Sequence, residues 1–375
     1  MLKIKLHSIS PILMGLALFA SCTKSEKISG PLITLAIPAD GFKIEVGKPL
    51  PLNPNVMNDE KSTYTWAMNG EVLSSDKSFT FTASKIGNYN LQLKVSNDIG
   101  SDSKTIPINA FSTNSPYITK VLDYQYGPGQ HASLIPANWN GSDFIGQPWT
   151  GTKIYTSLGG WGGYIIAGFD HSVKNVPGAD FAIYTQPGAG SEPGVVFVMN
   201  DANGEWLEIK GSEYNNIETV HDYQVTYYKP VSNGNVTWKD NKGKSGELIL
   251  VYDSASWWWN GYGSKTEITF TGVKLPDAYK NISTQVDSEN WVIRPGLFTS
   301  GYAECYNNLD YNNSLKANLF DISNAVDKAG NPVNLAGITF IKVQSGVFQI
   351  AGWLNEVSTE ISGAADLSLI EYTAN

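Results

Sequence analysis

The sequence has little positive charge, little cysteine and no long apolar run. Of its 375 residues, 26 are Lys or Arg and 35 are Asp or Glu, and Arg294 is the only arginine, so the net charge is −9. Proteins that bind the nucleic-acid backbone need a cationic face, and we therefore expect no nucleic-acid partner. Two cysteines cannot form a disulfide framework. The mostly apolar stretch at residues 9–20 is shorter than the roughly 20 residues of a membrane-spanning helix.

The first 22 residues have the pattern of an export signal. Two lysines precede the apolar stretch, and small residues come directly before Cys22. This order resembles a bacterial lipoprotein signal, which implies that residues 1–21 are removed and that Cys22 carries the lipid. Residues 22–30 then form a polar tether. We expect the protein to contact the membrane through this lipid anchor only.

Residues 31–112 contain short segments in which apolar and polar side chains alternate, as in strands with one buried face. The dipeptide Asn69-Gly70 provides a tight turn between two of them. Strands at this spacing predict a small β-sandwich. Residues 64–70 and 87–97 resemble a polycystic-kidney-disease (PKD) type immunoglobulin-like domain, which implies a spacer without chemistry of its own. The alternation is clearest at residues 64–66, 79–81 and 89–95.

Residues 117–375 form a second, larger predicted domain. Many short apolar segments are separated there by Gly, Asn and Pro, and one helical turn is expected at 324–328. This pattern predicts a larger β-sandwich of jelly-roll type, so the fold class of the chain is all-β. The glycine-rich turn at residues 159–163 is expected to present or bury Trp161. The predicted strands are residues 164–169, 180–185, 195–200, 206–210, 223–228, 247–252, 267–273 and 337–343.

Motifs of common enzymes are absent from the sequence. Outside the signal, His131, His171 and His221 belong to no metalloprotease pattern, and no Gly-x-Ser-x-Gly elbow occurs. We therefore expect a protein that is not an enzyme, with no catalytic residue, no bound metal and no cofactor.

Acidic residues leave two alternatives open. A carboxylate pair for glycoside hydrolysis converges only in the fold, and its candidates are Glu192, Glu208 and Asp201. Residues 201–205 place oxygen ligands at alternate positions, as a calcium loop does, but they end short of the about 12 residues that such a loop needs. An Asn-Gly hairpin turn is the better interpretation of residues 201–205.

The strongest positive signal is a run of three tryptophans in a loop between two predicted strands. Neighbouring side chains of an extended segment point to opposite sides, so at least one ring is expected near the surface, where it can bind a flat ligand. Residues 302–313 add tyrosines and carboxamides, which suit a neutral ligand rich in hydroxyl or amide groups. We predict a site at one end of the larger sandwich. Its expected ligand-binding residues are Trp257, Trp258, Trp259, Tyr262, Tyr306, Asn308, Asn312, Trp139 and Trp149.

Residues 117–375 resemble a family of bacterial cell-surface lipoproteins found mainly in Bacteroidetes. The resemblance lies in residues 158–163, 168–171, 178–184, 191–196, 211–214, 320–327, 340–343 and 356–361. Members often occur beside outer-membrane cobalamin transporters, and some capture corrinoids. The resemblance implies a lipid-anchored outer-membrane protein that faces the cell exterior. It also implies that this protein binds a nutrient, a corrinoid such as vitamin B12, and delivers it to a TonB-dependent transporter. Three alternatives remain open: a glycan as the small-molecule ligand, a glycoside hydrolase or lyase, and an adhesin.

We expect labelled palmitate to be incorporated into the protein and the substitution Cys22→Ala to abolish this incorporation. A diacylated cysteine supplies the two chains that stable membrane attachment requires. Metabolic labelling and autoradiography of the purified protein measure the effect. A mature protein cleaved at another position and free of label would contradict the prediction.

Overall fold

The computed structural model describes residues 29–373 except 130–139, 149–154, 186–190, 233, 252–258, 286–287, 307 and 353. In this part of the chain the regular structure is β-strand, with no α-helix and with short 3-10 turns at Ser142–Phe144, Asn260–Tyr262 and Ile322–Asn324. The predicted all-β fold class is confirmed. No helix in the described part has the length and apolar character needed to cross a membrane. Cys22 and the lipoprotein signal lie outside the described residues.

The described chain divides into two compact units. The smaller comprises the residues up to Ala36, Asn53–Phe79 and Leu91–Thr105, and the larger comprises Ile37–Leu52, Thr80–Asn90 and the residues from Ile106. The domain limits predicted from the sequence, 31–112 and 117–375, stay predictions. The first strands in chain order are β1 (Leu32–Thr34), β2 (Phe42–Glu45), β3 (Pro49–Leu52), β4 (Asn55–Met57), β5 (Thr63–Met68), β6 (Glu71–Ser74), β7 (Phe79–Thr82), β8 (Gly87–Ser96) and β9 (Ser101–Phe111).

In the smaller unit, β5 pairs antiparallel with β6 and with the last residues of β8. The β5–β6 turn is Asn69-Gly70, and the φ angles of 53° and 86° at these residues are those that the predicted tight turn requires. Trp66 is fully buried, its ring lies 5.5 Å from that of Phe79, and its Nε1 donates to the carbonyl oxygen of Asp76. The strands predicted in this region are confirmed.

All remaining strands belong to the larger unit. They are β10 (Lys120–Gln125), β11 (Thr156–Ser157), β12 (Tyr164–Lys174), β13 (Phe181–Thr185), β14 (Gly194–Met199), β15 (Leu207–Ile209), β16 (Val220–Tyr228), β17 (Val236–Asp240), β18 (Ser245–Leu248), β19 (Glu267–Lys274), β20 (Tyr279–Asn281), β21 (Trp291–Ile293), β22 (Tyr302–Ala303), β23 (Tyr311–Asn312), β24 (Ala317–Phe320), β25 (Ala325–Val326), β26 (Gly337–Ser345) and β27 (Glu360–Asp366).

Two antiparallel sheets enclose the main core of the larger unit. A seven-stranded sheet has the order β10-β12-β26-β14-β15-β25, with β22 also paired to β14, and a five-stranded sheet has the order β11-β27-β13-β24-β23. Ile165, Ala167 and Val343 of the first sheet are buried in one cluster with Ile183 and Ile361 of the second. Apolar burial of this kind is the main stabilising contribution to a sandwich, and the predicted larger sandwich is confirmed.

A four-stranded sheet, β18-β17-β16-β19, forms a third layer that the sequence did not predict as a separate sheet. Its inner face is aromatic: Tyr223, Tyr227 and Phe270 are buried against Trp161. Its outer face is polar, and Thr226 and Thr269 share a cross-strand hydrogen bond of 2.8 Å. This alternation is typical of a sheet with one solvated face.

The glycine-rich turn joins the four-stranded sheet to the seven-stranded sheet. Trp161 is 1% exposed, its Nε1 donates to the Val273 carbonyl of β19 at 3.3 Å, and its own carbonyl accepts from the Tyr227 hydroxyl of β16 at 3.0 Å. On the other side, the Ser345 N–H of β26 donates to the Gly163 carbonyl at 2.9 Å. The turn therefore buries its tryptophan and fixes the position of one layer on the other.

Two predicted elements are wrong in detail. The helical turn expected at 324–328 is a 3-10 turn that begins two residues earlier, at Ile322–Asn324. It begins there because the Asp321 side chain accepts a hydrogen bond from the Ser323 N–H. The next residues form β25 instead. The strand expected at 247–252 ends at Leu248, since the Leu250 N–H donates to the Asn235 side chain.

His171 links β12 to the end of β27. Its Nδ1 lies 2.7 Å from Asp170 Oδ1, and its Nε2 lies 2.8 Å from Asp366 Oδ2. Burial lowers the pKa of His171, but the hydrogen bonds to Asp366 and Asp170 outweigh it, so the pKa is raised above its ordinary value. Two carboxylates thus hold the ring in its charged form.

We expect Gly163→Ala to lower the free energy of unfolding by about 3 kcal/mol, because overpacking forces the backbone to move. A Cβ at this position would lie 1.8 Å from the Leu158 carbonyl oxygen and 2.3 Å from the Gly127 nitrogen. Denaturant unfolding measures the change. The matched control is Gly234→Ala, whose Cβ would meet its nearest atom at 3.7 Å. Equal stabilities of the two variants would refute the close approach.

We expect His171→Gln to destabilise the protein in acid and to have little effect in base. Because the folded-state pKa is raised, the contribution of the imidazolium is complete below the unfolded pKa of about 6.5 and is lost as pH rises through the folded pKa. Hydrogen bonds to charged groups contribute about 1.5–3 kcal/mol, which sets the expected loss at about pH 5.5. Unfolding of both proteins across pH measures the difference. A difference that is constant with pH would show that the ring stays neutral.

Candidate functional site

The predicted tryptophan loop is partly interior. Trp259 and Tyr262 are 5% and 3% exposed and pack in the core of the four-stranded sheet. Trp259 Nε1 donates to the Lys265 carbonyl at 2.8 Å, and the Tyr262 hydroxyl donates to the Tyr126 carbonyl at 2.6 Å. These two rings close the end of the core and leave no open face for a ligand. The predicted residues Trp257, Trp258, Trp139 and Trp149 lie outside the described residues.

The predicted carboxamides serve the local backbone. Asn312 is fully buried, its Oδ1 accepts from the Leu315 N–H at 2.9 Å, and its Nδ2 donates to the Thr373 carbonyl at 2.9 Å. Asn308 Oδ1 accepts from the Asp310 N–H at 3.0 Å. These bonds are those of turn residues. Residues 302–313 and the rings of Trp259 and Tyr262 lie in different parts of the larger unit, so the structure does not bring them together in one site.

A cleft of about 130 Å³ lies where the seven-stranded sheet meets the four-stranded sheet. We call it the aromatic cleft. β14, β15 and β26 contribute to one wall, and β16 and β19 contribute to the other. The side chains that give it its chemistry are Phe197, Trp206, Glu208, Tyr214, His221 and Lys342.

Strand alternation turns Glu208 into the aromatic cleft. Leu207 and Ile209, its neighbours on β15, are buried in the main core, so Glu208 points to the opposite face of the sheet. Glu208 lies directly across from Phe197 of β14 in the strand register. Trp206 is two residues before Glu208 and lines the same cleft.

Glu208 is buried with one oxygen engaged and one free. Its side chain is 9% exposed, and its Oε2 lies 3.5 Å from His221 Nδ1. Oε1 is buried and has no hydrogen-bond partner among the described residues. The interaction with Glu208 raises the pKa of His221, and burial opposes the rise. His221 Nε2 lies 3.1 Å from the Tyr214 carbonyl, and the two rings are 4.5 Å apart.

Lys342 provides a cation at the cleft wall. Its ammonium lies 5.0 Å from the ring centre of Tyr164 and 5.2 Å from that of Phe197, within the range of cation–π attraction. Burial lowers the pKa of Lys342 to about 8, and Asp123 partly offsets this. The cleft therefore contains a hydrogen-bond acceptor, a hydrogen-bond donor and aromatic faces in one volume.

The other two candidate carboxylates lie elsewhere. Asp201 closes the β14–β15 hairpin: its Oδ1 accepts from the Asn203 N–H at 2.9 Å and its carbonyl accepts from the Gly204 N–H at 3.0 Å. This geometry supports the interpretation of residues 201–205 as a hairpin turn.

Glu192 meets two carboxylates that the sequence did not single out. Ligand oxygens of Glu192, Glu304 and Glu360 all lie within 4.8 Å of one another, and we call the three residues the glutamate cluster. Burial and neighbouring carboxylates raise the pKa of Glu192 and of Glu304 well above the ordinary value. Within the described residues, this is the group of His, Cys, Asp or Glu side chains that could hold a metal ion.

Some of the cleft residues that the sequence analysis did not predict as ligand-binding had a recognisable signal in the sequence. Trp206 and Glu208 both belong to a predicted strand and are two residues apart, so alternation places them on one face. Tyr214 lies in one of the segments that carry the family resemblance. Lys342 lies in another of these segments, at residues 340–343. His221 had no such signal, because it reaches the cleft only through the packing of one sheet on another.

The PKD-like domain family matches residues 30–97, which agrees with the resemblance found in that region. The match covers a minor part of the chain, so it identifies a domain and not a family for the whole protein. A comparison with curated protein sequences found no match.

Several solved structures show a distant likeness. Carbohydrate-binding modules from the β-sandwich superfamily are 13% identical, with 90% of this chain and 97% of theirs covered and a TM-score of 0.20. The Bacteroides ovatus SGBP-B protein of a mixed-linkage glucan utilization locus, solved with a heptasaccharide, is 14% identical, with 58% and 45% covered and a TM-score of 0.20. A quinonprotein alcohol dehydrogenase-like protein from Bacteroides thetaiotaomicron is 12% identical, with 59% and 72% covered and a TM-score of 0.23. Likeness at this level carries no argument about function.

Proposed function

We propose that this protein is a binding protein, not an enzyme, and that it takes a glycan in the aromatic cleft. The observation that carries the proposal is the free, buried Oε1 of Glu208 beside the half-buried rings of Trp206 and Tyr214. With the anchor expected at Cys22, the protein would capture its ligand at the outer face of the outer membrane and pass it to a TonB-dependent transporter.

The chemistry of the aromatic cleft fits a sugar. A buried acceptor without a partner costs about 1–3 kcal/mol, and a sugar hydroxyl that donates to Glu208 Oε1 removes this cost. Aromatic rings pack well against the C–H faces of a sugar ring, and Trp206 and Tyr214 supply such faces. Lys342 supplies donors for further ligand oxygens.

The size of the cleft favours a glycan over a corrinoid. Its volume is about 130 Å³, whereas pockets for drug-sized ligands measure about 300–1,000 Å³. A corrinoid is larger than such ligands, but a single sugar unit at the end or side of a glycan needs much less space. Corrinoid capture, which the family resemblance implies, stays a prediction.

The carboxylates of the cleft favour binding over glycoside hydrolysis. Hydrolysis needs two carboxyl groups on opposite sides of the scissile bond. Asp222 and Asp327 also line the cleft, and Asp222 is exposed. Asp327 Oδ1 accepts from the Ala329 and Asn331 N–H groups, and Asp327 Oδ2 accepts from Asn331 Nδ2. Glu208 in turn is paired with His221.

We expect the purified protein to bind a glycan on an array and Trp206→Ala to weaken that binding about 30-fold, which corresponds to about 2 kcal/mol for a central aromatic anchor. Glu208→Gln should weaken it about tenfold, since the amide keeps the size of the side chain but loses the charge-assisted bond. Calorimetric titration with the glycan found on the array measures both variants.

The matched control is Trp291→Ala, because Trp291 is a half-buried tryptophan of β21 outside the cleft. Its affinity should equal that of the unmodified protein. Tight binding of cyanocobalamin without any glycan binding would contradict the choice of ligand, and release of reducing sugar from the bound glycan would contradict the non-enzymatic role.

A further inference from the structure

The glutamate cluster takes residues from both sheets of the main sandwich, and none of them lines the aromatic cleft. Glu192 precedes β14 and Glu304 follows β22, both in the seven-stranded sheet, whereas Glu360 is the first residue of β27 in the five-stranded sheet. Glu304 and Glu360 are 0% and 3% exposed. Burial of several carboxylates at one point is costly unless a positive charge compensates them.

Hydrogen bonds fix the backbone and one side of the cluster. The Glu192 N–H donates to the Glu304 carbonyl at 3.0 Å, and the Glu360 N–H donates to Glu304 Oε2. The Ser157 hydroxyl donates to Glu360 Oε1 at 3.0 Å, and the Thr359 hydroxyl donates to the Glu192 carbonyl at 2.9 Å. The side chains of Glu304 and Glu360 and the backbone of Glu192 are thus held in place by the fold itself, as a preorganised ligand set requires.

Two oxygens at the cluster are buried and unsatisfied. Glu304 Oε1 has no hydrogen-bond partner among the described residues, and neither has the hydroxyl of Tyr306, which lies beside the Glu304 carboxylate. In the same part of the chain, no lysine, arginine or histidine forms an ion pair with Glu192 or Glu304. Three carboxyl groups and a buried, unsatisfied oxygen of Glu304 therefore converge on one location in the described part of the chain.

We propose that the glutamate cluster binds a calcium ion. The ligand set consists of oxygen atoms, which hard cations prefer to softer ones. Oxygens on opposite sides of one Ca²⁺ are about 4.6–5.2 Å apart, since each bond measures about 2.3–2.6 Å, and the oxygens of the cluster all lie within 4.8 Å of one another. Mg²⁺ retains several waters in most sites, and the burial of Glu304 and Glu360 leaves little room for them. The proposal replaces the expectation of no metal.

The ion joins the two sheets. It connects the start of β14 and the end of β22 to the start of β27. Bound Ca²⁺ therefore adds to the stability of the sandwich, and removal of the ion breaks this link between the sheets.

The test is thermal unfolding of the full chain after dialysis against a chelator, with and without added CaCl₂. We expect the melting temperature to rise by about 5 °C or more at about 100 times the dissociation constant. Tb³⁺ should bind at the same place and emit light on excitation of tyrosine, because Tyr306 lies beside Glu304. Added Ca²⁺ should displace it and extinguish the emission.

A substitution in the cluster distinguishes the loss of a bound ion from a general loss of stability. Glu304→Gln removes one charge at constant size, so we expect the ion-free variant to unfold at the same temperature as the ion-free parent or higher, and to lose the response to Ca²⁺. The control is Glu267→Gln, an exposed glutamate of β19, which should keep the full response. No shift with Ca²⁺ and no Tb³⁺ emission in the unmodified protein would overturn the proposal. An equal shift with MgCl₂ would overturn the choice of ion.

Discussion

The close approach of two backbone segments at the glycine-rich turn is the constraint on which the larger unit depends. A Cβ at Gly160 would lie 2.2 Å from the Pro128 carbonyl oxygen, and a Cβ at Gly163 would lie 1.8 Å from that of Leu158. Only glycine permits this contact. Because the backbones touch, Trp161 is directed into the third layer, where it bonds to β16 and β19. These strands carry one wall of the aromatic cleft, so the width of the cleft follows from the turn.

Local patterns in the sequence predicted several of the longer strands, such as β8, β12, β16 and β26, because alternation of apolar and polar side chains is a local property of the chain. The burial of Trp259 and Tyr262 was not predictable in this way. Alternation shows that side chains point to opposite sides, but it does not show which side a further sheet covers. The third layer was missed for the same reason, since its strands have the same period as those of the main sandwich.

The two proposed sites share one feature, a buried glutamate with one oxygen engaged and the other unsatisfied. In Glu208 the engaged oxygen faces His221, and in Glu304 it accepts from the Glu360 N–H. One oxygen of each carboxylate thus fixes the orientation of the side chain, and the other oxygen remains free to bind a ligand. The glutamate cluster was beyond sequence reasoning, because its members are far apart in the chain. They are brought together by the pairing of β14 with β22 and by the approach of β27, which belongs to the other sheet.

The position of β27 in its sheet has a consequence for how the protein folds. β27 lies between β11 and β13 and pairs with both, although it comes last of the strands in chain order. Contacts between segments so distant in the chain form slowly. The chain leaves the ribosome or the export channel with its N-terminus in front. β11 and β13 therefore emerge before residues 360–366, and until then they lack the strand that pairs with both of them. During that interval their edges are unpaired and open to strands of other chains, so export of this protein calls for rapid insertion of β27 or for protection of the gap.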